Sequence, residues 1–315
     1  MLCQLYRLFC FVIRNSCTNY PSDTRSFILS TGALTVQNCV FSRSSTYSGD
    51  GSVIYYSGNS QFTLKESSFY KCCSSSSGGA IIATSNDLFF YKVCARECKC
   101  LSYGEFSFIS NTGKGEFSFV SMLYCSDDNN GNYPVYMQGG NQIFGDSNSS
   151  YNYVAVASGF CFDSPSQLSV TYSSFSNNRA TSRICVYFHR GSGNRNMEKC
   201  NIINNNSPTG GVVISNYGGD YTLNDCIMID NIDKVLCAED ATLRVNSCYI
   251  YHSGDIYTGN VIFANLQLIK TAPFPLTHFY TYYCQAEANH PMIYSRNSIK
   301  RGIFVSLLFT NLLCD

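Results

Sequence analysis

The sequence predicts an all-β chain, a right-handed parallel β-helix solenoid of about nine coils of 22–29 residues, with irregular caps at both ends. Three observations carry this reading. An eight-residue apolar pattern recurs along most of the chain, a second short apolar run follows each copy, and Gly, Ser and Asn crowd the segments between. Such short Val-, Ile-, Phe- and Tyr-rich runs separated by turn residues are the pattern of many short strands. One repeat architecture overrides the prior that 315 residues make two domains.

The pattern places apolar or small residues at its first, third, sixth and eighth positions. It reads Leu34, Val36, Cys39, Phe41 and then Phe62, Leu64, Ser67, Phe69. Later copies are Phe117, Phe119, Met122, Tyr124, then Leu168, Val170, Ser173, Phe175, then Tyr221, Leu223, Cys226, Met228, and Leu243, Val245, Cys248, Ile250. Weaker copies centre on Val93 and Cys200. Sixth positions lie 22–29 residues apart except for one gap of 51, from Met122 to Ser173, which fits two coils.

Within a copy, each step of two is strand alternation that puts both side chains on one face. The step of three between them breaks the alternation, so the chain bends there with its apolar side kept inward. Second runs begin at Val53, Ala80, Phe106, Val135, Val154, Ile184, Val212, Val235 and Val261. Three short strands per coil of about 26 residues suit coils stacked through parallel ladders, and parallel crossovers are right-handed. No coil buries its own apolar face, so stacking supplies the stability and the ends need caps. The domain division expected is 1–33 as an N-terminal cap, 34–265 as the solenoid and 266–315 as a C-terminal cap or tail. Cys39, Ser67, Ser173, Cys200, Cys226 and Cys248 share one inward slot, where a narrow corner admits only small residues.

Composition bounds the partners. Lys plus Arg equals Asp plus Glu at 21 each, so no basic stripe neutralises phosphates and nucleic acid is excluded as a partner. Eighteen cysteines suit either disulfides in an oxidising compartment or small buried apolar side chains. Cys94, Cys98 and Cys100 have no nearby His and no second Cys pair at metal-ligand spacing, so no metal and no cofactor is expected. The segment Leu2–Ile13 reads as signal-like, with Cys17 or Thr18 near a cleavage point, or else as a first strand. Ile303–Cys314 is apolar but too short to span a bilayer, which leaves membrane attachment open.

The residues after the repeated strand carry a family resemblance. Phe175-Ser176-Asn177-Asn178 has a Phe-x-x-Asn form, with looser versions at Ile202–Asn205 and Met228–Asn231. Gly78-Gly79-Ala80-Ile81 has a Gly-Gly-Ala-Ile form, and Gly210-Gly211-Val212-Val213 is a relaxed copy. This pairing resembles the polymorphic outer membrane protein repeats and similar surface proteins of unicellular parasites, over roughly residues 30–265. The resemblance implies a pectin-lyase-like β-helix, displayed at a cell surface or secreted, that contacts a host-cell protein or glycan. Cys72 stands in place of Asn after Phe69, and no barrel or clear anchor follows, so an intracellular, truncated relative is the competing location. Gly at these positions permits a tight turn, and Asn tolerates left-handed backbone while its amide can bond along a ladder.

Many β-helices act on polysaccharides, and that chemistry needs two carboxylates within about 10 Å of one glycosidic bond. Asn111-Thr112-Gly113 lacks the acid of the hydrolase motif, Asp127-Asp128 reads as a solvated turn, and His189-Arg190-Gly191 lies four strand groups later, after Arg183. His189, His252, His278 and His290 fall in separate coils or the tail. No catalytic residue is nominated, and the expected function is non-enzymatic adhesion, the alternative being a polysaccharide lyase or hydrolase. Asn148 and Asn205 begin Asn-x-Ser sequons that would accept glycans in a secretory pathway.

Overall fold

In the computed structural model, residues 11–14, 27–29 and 32–269 are described, apart from 47–48, 127–130, 183, 192, 209, 217 and 233. They form a parallel β-solenoid with no helix among them, and hence no helix able to cross a membrane. Every strand pairing is parallel and joins one coil to the next. The third-position column shows the winding: Val36 faces Leu64, then Phe90, Phe117, Phe144, Val170, Met197, Leu223 and Val245 in turn. That is about eight coils rather than nine. The register steps by 26–28 residues through most of the molecule, by 22 into Val245 and by 18 into Phe263. This last winding is shortened and leaves Tyr257, Ile262 and Leu268 exposed. Right-handed winding, which parallel crossovers favour, is consistent with the stacking.

The inward positions are close to fully buried. Leu34, Val36, Phe62, Leu64, Val170, Leu223, Val245 and their stacked neighbours form one continuous core down the axis. Aromatic rings fill its middle, with Phe90 and Phe117 4.5 Å apart and Phe144 and Phe160 4.2 Å apart between centroids. One copy of the repeat and two of the second runs correct the expected register. Lys114–Leu123 places Gly115, Phe117, Val120 and Met122 in the four inward slots, not Phe117, Phe119, Met122 and Tyr124. The long gap therefore resolves as Val120, Ser147 and Ser173. Val154 belongs to a two-residue ladder with Ala180, while the second strand of its coil is Ala157–Asp163. Val261 is a first-strand residue paired with Leu243.

The bend inside each repeat has a definite conformation. At the first corner Asn38, Glu66, Lys92, Phe119, Asp146, Tyr172, Lys199, Asp225 and Ser247 all have φ between 46° and 56°. At the second, Arg43, Lys71, Glu97, Tyr124, Tyr151, Asn177, Asn204 and Asp230 have φ between 51° and 56°. Each left-handed residue costs about 1–2 kcal/mol for a side chain other than Gly, Asn or Asp. Pairing continues through the corner and offsets that cost: Asn38 N–H donates to Lys65 O at 3.1 Å, and Lys71 N–H to Arg96 O at 3.0 Å.

Two inward columns flank these corners. The first is the sixth-position slot, which Val93 and Val120 also occupy, so small size is not its rule. Its serines bond along the stack: Cys39 N–H donates to Ser67 Oγ at 3.2 Å, Val120 N–H to Ser147 Oγ at 3.0 Å and Ser147 N–H to Ser173 Oγ at 3.3 Å. Each hydroxyl in turn donates to the carbonyl two residues earlier, as Ser147 does to Gly145 O at 2.7 Å. The second column follows the second corner and contains Cys72, Cys98, Cys125, Asn152, Asn178, Asn205 and Asn231, all buried. Here the Phe-x-x-Asn motif acquires its meaning. Asn178 is the buried rung, and the left-handed residue is the preceding Asn177.

Gly78 and Gly79 are fixed by geometry. Gly78 has φ +63°, and a Cβ there would lie 2.3 Å from Ile81 O. At Gly79 a Cβ would lie 1.9 Å from Glu105 O on the next coil. Ala80 and Ile81 then enter the core as the second strand begins. In the relaxed copy, Gly211 passes Cys237, whose Cβ would stand 3.0 Å from an added Cβ.

Candidate functional site

Among the described residues, the outer face of the second sheet brings together a cluster of chemically capable side chains. Val135–Gln138 alternates, so Val135 and Met137 enter the core while Tyr136 and Gln138 face out. The same alternation turns Cys161 and Asp163 outward from Ala157–Asp163, and Tyr187 and His189 outward from Ile184–His189. Register aligns Tyr136 with Cys161 and Tyr187, and Gln138 with Asp163 and His189. Residues about one coil apart in sequence thus become side-by-side neighbours.

Asp163 is the centre of this cluster. His189 Nδ1 lies 3.1 Å from its Oδ1, Ser164 Oγ donates to the same oxygen at 2.7 Å, and the Tyr136 hydroxyl donates to Oδ2. Burial pushes the Asp163 carboxyl up, but the bonds from His189, Tyr136 and Ser164 more than offset it and hold the group at about 2. It is therefore a carboxylate at neutral pH, and the Nδ1 facing it carries a proton. Tyr187 stacks on the His189 ring at 5.2 Å. Tyr133, Tyr136 and Tyr103 pack over one another at 5.4–5.8 Å, and Tyr133, Tyr136 and Tyr187 belong to the cluster that holds Cys161, which is fully buried although its strand position faces outward. Burial raises the Tyr133, Tyr136 and Cys161 groups above their ordinary values. Chemically this is a carboxylate–imidazole pair in an aromatic surround, with the Ser164 hydroxyl committed to the carboxylate and not to the imidazole.

A second outer feature lies at the corners. Tyr124, Tyr151 and Tyr172 are 41%, 48% and 46% exposed. The Tyr124 and Tyr151 rings lie 5.2 Å apart, Arg96 sits 5.7 Å over Tyr124, and Lys199 sits 5.5 Å over Tyr172. Aromatic–cation pairs recur elsewhere, with Lys92 over Tyr91 and Arg179 over Tyr153.

The residues singled out in the sequence fall in several places. Asp127, Asp128, Arg183, His278, His290, Leu2–Cys10, Cys17, Thr18 and Ile303–Cys314 lie outside the described residues. His252 Nδ1 contacts Asn231 O at 3.0 Å, away from His189. Asn111 folds back on Gly113 O within its turn, and Thr112 donates to Asn86 Oδ1 one coil earlier. Cys98 points into the core while Cys94, which is disulfide-bonded, faces outward, so the Cys94–Cys98–Cys100 segment does not converge on a point. Twelve other described cysteines are free thiols, eleven of them buried, as packing residues would be. Both sequon asparagines are buried. Asn148 faces outward on its strand, and Asn205 is a rung of the core column whose Nδ2 donates to Phe175 O at 2.9 Å. A glycan on Asn205 would replace one of the two Nδ2 hydrogens, which bond Phe175 O and Asn231 Oδ1, so one of these core bonds would be given up. Asp163 was missed by motif reasoning, yet a search for complementary residues 26–27 positions apart finds it, since Tyr136, Asp163 and His189 have this spacing.

No family model, curated protein or solved structure matches this chain.

Proposed function

We propose that this chain is a non-enzymatic interaction protein, surface-displayed or secreted, whose solenoid presents rows of aromatic and polar side chains to a host-cell protein or glycan. The carrying observation is the set of exposed tyrosines on rigid corners. A large amphipathic ring loses little entropy on binding when its backbone is already fixed. The repeat motifs add the resemblance to pectin-lyase-like surface proteins and carry the expectation of location. The solenoid itself is a scaffold that hosts many functions, so the surface residues bear the argument.

The alternative, a polysaccharide lyase or hydrolase, draws on one observation, the Asp163–His189 pair. Binding of the labelled full chain to host cells, run beside reducing-sugar and unsaturated-product assays on pectins and related polymers, separates the two. Saturable binding without turnover is expected. Turnover that disappears in Asp163→Asn and His189→Ala would establish the enzyme instead.

A further inference from the structure

The outer side of the short strand between the two corners is closed. Its outward residues are in register from winding to winding, and from Cys94 the row passes through Ser121, Asn148 and Asn201 to Ile227 and on to Gln267. Ser121 is 1% exposed, Asn201 2% and Ile227 0%, although all three face away from the core. Neighbours in a sheet screen the flanks of an outward side chain and leave its tip open. Burial this complete needs a cover, and every described strand belongs to the solenoid wall itself.

Cys94 supplies a second, independent observation. It is disulfide-bonded, while every other described cysteine is a free thiol. Its partner is therefore Cys3, Cys10, Cys17, Cys284 or Cys314. Cys10 and Cys17 stand within three residues of Phe11–Arg14, a strand three windings before that of Cys94. That is about 14 Å along the axis, whereas a disulfide joins Cα atoms no more than about 7 Å apart. At the other end, the chain leaves the last described winding on this same row, since Gln267 pairs with Tyr249. Cys94 lies seven windings back from there, about 34 Å. An extended chain from Gln267 to Cys284 spans up to about 56 Å, enough to reverse and return. Pro273 and Pro275 hold this segment out of a helix, and alternation in an extended run puts Phe274, Leu276, Tyr280 and Tyr282 on one face with Cys284.

We infer that residues 270–284 run back along this row as an extended strap, with Cys284 bonded to Cys94 and the aromatic face seated on Ile227 and its neighbours. Forming the bond takes two protons and two electrons from the two thiols and passes them to an external disulfide, which is released as two thiols. The strap goes beyond the binding function proposed above and does not depend on it. It assigns this outer face to the chain itself and withholds it from a partner.

The full chain, folded with oxidised and reduced glutathione and digested without reduction, tests the bond by mass spectrometry. Peptides carrying Cys94 and Cys284 are joined, and reduction parts them. A free Cys94, or Cys94 joined to any other cysteine, overturns the inference. Hydroxyl-radical footprinting tests the cover. Ile227 stays unlabelled in the wild-type chain, and in the full-length variant Leu276→Asp/Tyr280→Asp/Cys284→Ser its labelling rises at least threefold while the circular dichroism of the solenoid is kept. Wild-type labelling of Ile227 as strong as that of Ile262, which is 44% exposed, would sink the strap, as would unchanged labelling in the folded variant. Should the variant not fold, the wild-type linkage and labelling decide alone.

Discussion

One column of the core is built from cysteine in its earlier coils and from asparagine in its later ones. Cys72, Cys98 and Cys125 stack beneath the second corner, and Asn152, Asn178, Asn205 and Asn231 continue the same column. Both halves face the same problem, a backbone N–H turned inward just after a left-handed residue. The asparagines solve it with strong acceptors: Asn152 N–H donates to Asn178 Oδ1 at 3.0 Å, Asn178 N–H to Asn205 Oδ1 at 2.9 Å and Asn205 N–H to Asn231 Oδ1 at 2.9 Å. Their Nδ2 groups reach carbonyls one coil back, Ser149 O at 2.8 Å for Asn178 and Ile202 O at 2.8 Å for Asn231. The thiols fill the same volume and bond weakly; the Cys98 Sγ contact to Arg96 O is 3.7 Å long. At the boundary Cys125 N–H donates to Asn152 Oδ1 at 2.7 Å. The comparison teaches that the slot demands a compact side chain that can accept a bond, and that an amide meets the demand more completely than a thiol.

The largest expected effect breaks the asparagine half. Asn178→Leu strands the Asn152 N–H and the Ser149 carbonyl in a dry core, and each orphaned group costs about 1–3 kcal/mol. Chemical denaturation should show a loss of about 4 kcal/mol. A loss under 1 kcal/mol would mean that the ladder is not what holds this region.

The halves should also part at alkaline pH. Burial raises the Cys98 and Cys125 thiols well above their ordinary values, whereas asparagine does not titrate. Above the unfolded thiol value of about 8.5, the unfolded chain gives up these protons and the folded chain keeps them. Stability is therefore full below that pH and falls above it, by about 1.4 kcal/mol per pH unit for each such thiol. Denaturation followed from pH 7 to 10 should show this slope, and Cys98→Asn/Cys125→Asn should lessen it by the share of two thiols, the other raised buried thiols such as Cys161, Cys185 and Cys226 keeping the rest. An unchanged slope in that variant would contradict the assignment.

The smallest effect comes from extending the amide column by one rung. In Cys125→Asn the new Oδ1 can accept from Cys98 N–H and the Nδ2 can reach the carbonyl of Ala95, copying the bonds of Asn178. Stability should stay within about 1 kcal/mol of the parent, because the added bonds offset the cost of burying an amide. A loss comparable to that of Asn178→Leu would show that the two halves differ in shape as well as in chemistry.

Much of this was legible in the sequence. The inward slots of Leu34, Leu64, Val170, Leu223 and Val245 followed from alternation alone. The register failed where Phe119 and Tyr124 stand at left-handed corners, because aromatic residues at that spacing mimic core positions while their backbone turns them out. Val154 misled for a similar reason, being a buried apolar residue in a ladder only two residues long. Of the surface, little could be read. Asp163 and His189 carry no local motif, and only the coil period brings them together. The tyrosine corners were invisible because φ is not written in composition.

The in-register stacking has a consequence for how such a chain can change length. Removing a single residue from a paired strand would turn every following side chain of that strand to the opposite face. Removing a complete winding of 26–28 residues would join two surfaces that already match, since Val36, Leu64 and Phe90 present the same groups upward and downward. Genetic insertion and deletion are therefore quantised: whole windings can be gained or lost by recombination between copies. The molecule can lengthen or shorten its outer surface in discrete steps without redesigning its interior.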